Sequence, residues 1–293
     1  MPELPEVETI VRDLKKEVLG RTFVAVWTDF SNLIKRPKNF SEFKKEMEGK
    51  KIKNIWRRAK NIIFELSDGF SLLIHQKMTG HLLIGKWKVE KGKWVSNIPG
   101  PLQNDPMNRF LHLIFTLDSG WQLALSDLRK FAKVELWKTV ELKESKEFRE
   151  LGPEPLKKDF TFKRFEEALS KKKRGKIKQI LMDQKVISGI GNIYSDEILF
   201  EARIHPFKDV SKLSDKELKN IYKAIKKILP LAIKFGGESI SDYRRPSGEK
   251  GFYDKARKVY RREGEKCPNC GGLVKRVKIG GRSAHFCPKC QRL

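Results

Sequence analysis

The spacing of apolar positions changes character about halfway along the chain. Between residues 3 and 19, Val7, Ile10, Val11, Leu14 and Val18 recur three or four apart, and Gly20 follows. That spacing predicts an amphipathic helix with a glycine stop. Short apolar runs then fall at 22–28, 51–56, 61–66, 71–75, 111–117 and 121–125. Asp68-Gly69 and Asp118-Ser119-Gly120 suit the turns of hairpins between them. The first half therefore predicts a strand-rich block with one leading helix. Residues 85–110, rich in Gly, Pro, Asn and Trp, read as a loop inserted into that block. Gly-Pro-Glu-Pro at 152–155 marks a linker. Beyond it the periodicity is helical at 161–170, 175–184, 193–202 and 214–234, and 236–262 is polar, basic and aperiodic. There is no internal repeat.

Charge adds a partner to this outline. The 293 residues hold 63 Lys and Arg against 37 Asp and Glu, a net charge of +26. So one-sided a balance points to nucleic acid, with anionic membrane as the rival and a heat-adapted lysine-rich surface as the bland alternative. No apolar run approaches the roughly 20 residues that span a bilayer, and residues 1–20 lack the apolar core of a signal peptide. A soluble, cytoplasmic protein without membrane contact is expected.

All four cysteines lie in the last 27 residues, as Cys267-Pro-Asn-Cys270, a gap of 16, and Cys287-Pro-Lys-Cys290. Two Cys-x-x-Cys pairs at this spacing predict one structural zinc ion. Four thiolates close a tetrahedral shell and leave no position for water, so the metal holds the fold and does no chemistry. A pair of redox disulfides is the alternative, disfavoured inside a cell. Between the pairs, Gly280-Gly281 makes a turn that presents Arg282. Residues 244–293 carry 15 Lys and Arg against 4 Asp and Glu, so this tail is itself basic.

At 183–206 the chain reads DQKVISGIGNIYSDEILFEARIHP. Gly189, Gly191 and Asn192 break one helical pattern and start another. A helix N-terminus after glycines suits phosphate, with cations supplied by the lysine-rich 171–178. A plain helix-turn-helix hairpin explains the same residues.

With these residues in view, the chain resembles the formamidopyrimidine-DNA glycosylase family. The start PELPEVET, RRAK at 57–60, HQKMTG at 75–80, DLRKF at 127–131, the 183–206 segment and the closing GGRSAHFCPKCQ occur in family order across nearly the whole chain. The resemblance implies an α+β fold. Its parts are an N-terminal β-sandwich with a leading helix (1–150), a helix-two-turns-helix domain (151–235), a lesion-capping loop and linker (236–258) and a zinc-finger β-hairpin (259–293). It implies a monomer that excises oxidised purines from double-stranded DNA and cleaves the abasic site left behind.

The opening residues acquire a role in that setting. Removal of Met1 would leave Pro2 with a secondary amine that can attack a sugar C1′ and form a Schiff base. An α-amine has a pKa of about 7.7–8.0, against about 10.4 for lysine, so more of it is nucleophilic near neutral pH. Glu3 beside it can carry protons, and Glu6 lies one helical turn on. Alternatively, Pro2, Glu3 and Glu6 simply suit a helix first turn. The resemblance matches Lys60 to a catalytic lysine and Arg282 to the finger arginine that binds phosphate and assists the second elimination. It matches Met78, Arg129 and Phe131 to a wedge that fills the gap left by a flipped base, and Arg174, Lys178 and Asn192 to phosphate contacts. Taken alone, Met78 and Phe131 would read as core. Arg109 and His112 stand near a family DNA-contacting histidine, whose own place is taken by Phe110. Two other departures are Ala132, where the family has glycine, and a lesion loop made basic by Arg244-Arg245. The competing readings are an endonuclease VIII-like glycosylase for oxidised pyrimidines and a non-catalytic zinc-ribbon DNA-binding protein.

Overall fold

The structure is a computed structural model, and it describes residues 1–239 and 243–293. The three others, Ile240, Ser241 and Asp242, belong to the expected lesion-capping loop and lie outside the described residues. The chain forms two compact units. Unit 1 comprises Met1–Pro2, Glu6–Arg149 and Gly236–Phe252, and unit 2 comprises Glu3–Pro5, Glu150–Phe235 and Tyr253–Leu293. No helix among the described residues is long and apolar enough to cross a membrane.

The leading helix α1 (Leu4–Val18) buries the stripe read from the sequence, Val7, Ile10, Val11, Leu14 and Val18. The remaining elements of unit 1 follow as β1 (Phe23–Thr28), β2 (Ile34–Arg36), α2 (Phe40–Met47), β3 (Ile52–Arg58), β4 (Asn61–Leu66), β5 (Phe70–His75) and β6 (Gly80–Gly85). Then come β7 (Trp87–Glu90), β8 (Lys93–Ser96), β9 (Leu111–Leu117), β10 (Gln122–Asp127), β11 (Lys133–Lys138), α3 (Thr139–Glu144) and α4 (Lys146–Arg149). One sheet runs β1-β9-β10-β6 and a second runs β2-β11-β5-β4-β3. Alternate residues from both meet in one core, including Phe23, Val26, Phe115, Leu123 and Leu125 from the first and Ile55, Phe64, Leu72 and Val134 from the second. This is the period-2 burial of a β-sandwich.

Both sheets also cover their other faces. On the second sheet, Ile63 and Leu73 pack with Leu142 of α3 and partly buried Trp56, Trp137 and Phe148. On the first, Leu83, Ile114 and Ala124 pack under Trp87 and Leu102. The expected loop at 85–110 is thus largely ordered. It folds as the β7–β8 hairpin and a 3-10 turn, Pro106–Phe110, and it lays its tryptophans on apolar positions the sheet would otherwise expose. Its apolar residues are too few and too irregular to show a period, which is why the sequence pattern missed the hairpin.

Unit 2 contains α5 (Phe162–Ser170), α6 (Ile177–Met182), α7 (Asn192–Ala202), α8 (Asp215–Lys234) and a hairpin of β12 (Lys275–Ile279) and β13 (Arg282–Phe286). Helix α8 opens on a reciprocal capping box between Ser214 and Glu217. Helix α7 is buried on nearly every side. Tyr194, Ile198 and Leu199 from α7 join Phe165, Leu181, Ile221, Ile225 and Leu229 in the helical core. Phe200 packs instead with Val259, Val274, Cys267 and Cys287 of the finger.

Candidate nucleic-acid and catalytic residues

In unit 2 the Gly-Ile-Gly-Asn turn binds an anion of the chain's own. The Glu3 carboxylate accepts hydrogen bonds from the backbone N–H groups of Gly191 (2.8 Å), Ile193 (2.9 Å) and Tyr194 (3.3 Å). A carboxylate at a helix N-terminus satisfies donors that have no partner inside the helix. Glycine is required nearby for space. Gly189 has φ +92°, and a Cβ there would stand 2.7 Å from the Leu4 side chain. The Leu4 N–H also donates to the Gly189 carbonyl at 3.0 Å. The turn read from sequence as a phosphate cradle therefore orients Glu3, which the structure buries to 3% exposure. Asn192, the first residue of α7, is half-buried, and Arg174 is exposed.

Two carboxylates on α7 were missed by sequence reading. Asp196 accepts from the Lys178 ammonium at 2.5 Å through Oδ1 and from the His285 N–H at 2.9 Å through Oδ2, with His285 Nδ1 at 3.0 Å. Glu197 accepts from the backbone N–H groups of Lys258, Val259 and Tyr260 at 2.7–2.9 Å. Burial pushes the Glu197 carboxyl above the usual range, against those three bonds. Burial also pulls the Lys178 ammonium below the lysine range, against the raising effect of Asp196. Lys178, matched by resemblance to a phosphate contact, is fully buried and also donates to the Asn192 carbonyl at 3.3 Å. The available signal was two adjacent acids in the middle of a helix rich in large apolar residues, since buried charges must find partners.

The finger follows the spacing. All four cysteine sulfurs lie within 4.8 Å of one another, with Cys267–Cys290 at 3.8 Å and Cys270–Cys287 at 3.4 Å. Thiolates about 2.3 Å from a tetrahedral ion stand ~3.8 Å apart, so this donor set fits zinc. Gly280 and Gly281 take φ +53° and +76°, the left-handed pair that a two-residue hairpin turn requires. Arg282 stands exposed directly after them.

In unit 1 a single carboxylate joins both wedge segments. Buried Asp127, at the end of β10, accepts through Oδ1 from the Thr79 hydroxyl (2.5 Å) and the Arg129 N–H (3.2 Å). Its Oδ2 accepts from the Ala132 N–H at 2.7 Å. Met78 and Phe131 consequently stand on two loops fixed to one residue, 38% and 53% exposed. They are not core. The Arg129 guanidinium lies 4.7 Å from the Phe131 ring centroid. Ala132 fits its site because it is buried in the sandwich core, and the left-handed residue of this turn is Lys130.

Lys60 sits in the two-residue turn between β3 and β4 and is 7% exposed, so it is no solvated strand end. The Arg57 guanidinium braces this turn by donating to the Ala59 carbonyl (2.9 Å) and to Glu8 (3.0 Å). His75 accepts the Lys77 N–H at Nδ1 (2.9 Å). Burial, then the cations Lys77, Lys60 and Lys133, lower its pKa to about 3. Arg109 is exposed over the Phe110 ring, whereas His112 is buried with Nδ1 2.9 Å from Asp29. Pro2 and Lys60 fall in unit 1, and Glu3 and Arg282 fall in unit 2.

Three family models match the chain. They are the formamidopyrimidine-DNA glycosylase N-terminal domain (residues 1–134), the H2TH domain of the same glycosylase (151–244) and the zinc finger found in FPG and IleRS (264–293). The chain is 38% identical to the formamidopyrimidine-DNA glycosylase of Bacillus subtilis over 292 residues, 99% of each chain. Its structure resembles Lactococcus lactis Fpg solved with Fapy-dG-containing DNA, at TM-score 0.85 and 35% identity over 99% of this chain and 100% of that one. The same enzyme solved with oxidised-pyrimidine-containing DNA also gives TM-score 0.85 and 35% identity, over the whole of both chains. Identity at this level over the full length, with the sandwich, the helical unit and the four-cysteine finger all in place, means that the chain belongs to the formamidopyrimidine-DNA glycosylase family.

Proposed function

We propose that this protein is a bifunctional DNA glycosylase and abasic-site lyase of base excision repair, acting on oxidised purines in duplex DNA. The observation that carries the reading is the retention of Pro2, Glu3, Lys60 and Arg282 in a full-length family member. After Met1 is removed, the Pro2 amine attacks C1′. The bond from C1′ to the damaged base breaks, and the base leaves with a proton. The sugar ring opens to a Schiff base, which acidifies the C2′ proton. Loss of that proton expels the 3′ phosphate, and a second elimination expels the 5′ phosphate. Glu3, oriented by three backbone amides, carries protons at the sugar and the departing base. Lys60 contacts the phosphate beside the lesion and assists the first elimination, and Arg282 assists the second.

Removing a base from the stack costs a few kcal/mol. Met78 and Phe131 offset this by filling the gap with apolar surface, and Arg129 pairs with the orphaned cytosine. Cys267, Cys270, Cys287 and Cys290 hold one zinc ion, which fixes the finger that presents Arg282. Arg109, Arg174, Lys178, Asn192 and His112 are assigned to DNA contact. For buried Lys178 and His112 that role runs through the segments they hold. The 236–258 segment caps the extruded base. The enzyme works as a monomer in the cytoplasm, at the nucleoid of a prokaryotic cell.

Borohydride reduction during reaction with an 8-oxoguanine:cytosine duplex should trap a covalent complex. Its intact mass should equal that of the chain without Met1 plus the DNA fragment. Failure to trap, with zinc bound and DNA binding intact, would sink the proposal. Thymine glycol duplexes belong in the same assay, because a structural relative was solved with an oxidised pyrimidine. Faster excision there would favour the pyrimidine reading.

A further inference from the structure

The hairpin segment that covers the first sheet of unit 1 also grips the stem of 236–252. Arg244 Nε lies 2.9 Å from Asp105 Oδ2, with the two side chains 18% and 2% exposed. The other oxygen of Asp105 accepts the Met107 N–H at 2.9 Å and so caps the 3-10 turn that carries Arg109. Nearby, the Ile84 N–H donates to the Pro246 carbonyl at 2.8 Å. Gly248 approaches Leu102 so closely that a Cβ would stand 2.7 Å from it.

Helix α1 holds the same segment at several points. The Glu238 N–H donates to the Glu6 carboxylate (2.9 Å), the Tyr243 hydroxyl to the Glu6 carbonyl (3.4 Å), and the Arg245 guanidinium to both oxygens of Asp13 (2.8 and 2.9 Å). The two arginines that make this segment basic are therefore both ion-paired. Tyr243 also packs into the sandwich core, but apolar packing around the stem is incomplete. A cavity of about 380 Å³ opens between α1, the 98–102 stretch and 245–249, lined by Ile84, Ile98, Leu102, Trp121 and Pro246. With that gap in the packing, the polar ties share in fixing the position of the stem.

We propose that Asp105 is a positioning residue for base capping: it holds Arg244, and through it the C-terminal stem of the capping segment, in place before DNA arrives. This rests on the reading of 236–258 as the segment that caps the damaged base. Its consequence separates the two reactions of the enzyme. Base excision needs the damaged base held in position, whereas an abasic site has no base to cap. Asp105→Asn removes the charge but keeps an oxygen to cap Met107, and Arg244→Gln removes the other partner.

Single-turnover excision of 8-oxoguanine should fall about tenfold in each variant, mid-range for side chains in one ion-paired network. The double variant should fall no further than either single one. Strand cleavage at a preformed abasic site should stay within about twofold of wild type, which also shows that the variants fold and bind DNA. Equal losses in both reactions, no loss in either, or losses that multiply in the double variant would each overturn the role of Asp105. Failure of the wild type itself to excise the lesion would instead remove the capping reading and this inference with it.

Discussion

In unit 1 the wedge side chains Met78 and Phe131 stand on loops at strand ends and face outward, at 38% and 53% exposure. In unit 2 Arg174 and Arg282 are exposed, but a set of charges lies inside. Lys178, Asp196 and Glu197 are at most 1% exposed, and their bonds run to the finger and to α7. The two arrangements carry different costs. An exposed apolar side chain on a fixed loop costs the fold little and is available to a partner. A buried ion pair costs the fold a great deal when broken, and in return it fixes where the finger and the helix end stand. The wedge of unit 1 thus offers surface, and the buried charges of unit 2 hold geometry.

The strongest way to break unit 2 is to remove its metal. Structural zinc contributes about 10–16 kcal/mol to the folding of isolated zinc-finger peptides near pH 7. Chelation, or Cys287→Ser, should expose 259–293 to proteolysis and weaken duplex binding by on the order of tenfold as phosphate contacts of the basic tail are lost. Limited proteolysis and a binding isotherm on the same sample check this. An undigested tail after chelation would mean that the finger folds without zinc.

Next in size is the buried pair. Asp196→Asn leaves the Lys178 ammonium without its charge partner and should lower stability by about 3–5 kcal/mol. Replacing both partners, Lys178→Met with Asp196→Leu, should recover most of that loss, read from urea midpoints. An equal loss in the double variant would point to His285, which shares the Asp196 carboxylate, as the partner that matters.

These contrasts also mark what the sequence could reveal. The leading helix, six of the sandwich strands and the finger follow from period, turn residues and cysteine spacing, all local signals. Asp127 gave no local signal of its role, and the adjacent acids Asp196 and Glu197 signalled only that they need partners, not which ones. Each acts through partners that only tertiary folding brings near, such as Thr79, 48 residues from Asp127, and His285, 89 residues from Asp196. The Gly-Ile-Gly-Asn turn was legible as an anion site, but its anion proved to be Glu3, 188 residues from Gly191. The 86–96 hairpin stayed hidden because its few apolar residues show no period, and the sheet face on which Trp87 packs is defined only by the tertiary fold.

The comparison sharpens for unit 1 with Phe131→Ala. Its side chain is exposed, so stability should move by no more than about 0.5 kcal/mol. Excision should fall at least tenfold, because the energy to unstack the base is no longer offset. A fluorescent base analogue opposite the lesion reports the opening step. Normal opening with slow excision would detach Phe131 from the wedge.

The smallest effect concerns pH and His75. In the folded chain its pKa is about 3, lowered by burial and then by Lys77, Lys60 and Lys133, against 6.5 for the free group. Between these values the unfolded chain binds a proton that the folded chain does not. Stability from this group is therefore fully present above about pH 6.5 and is lost as pH falls toward 3. One proton gives a slope of at most about 1.4 kcal/mol per pH unit. Urea midpoints of wild type and His75→Gln at pH 7.5 and pH 5.5 should diverge, with wild type losing up to about 1.4 kcal/mol more on acidification. Protonation would also remove the acceptor for the Lys77 N–H, so the wedge loop carrying Met78 should loosen first. Amide exchange at Lys77 that rises with acid in wild type faster than in the glutamine variant, beyond the general pH dependence of exchange, would locate the loss there. Parallel pH profiles for the two proteins would show that His75 is not buried neutral in solution, and the loop would then depend on Thr79 and Asp127 alone.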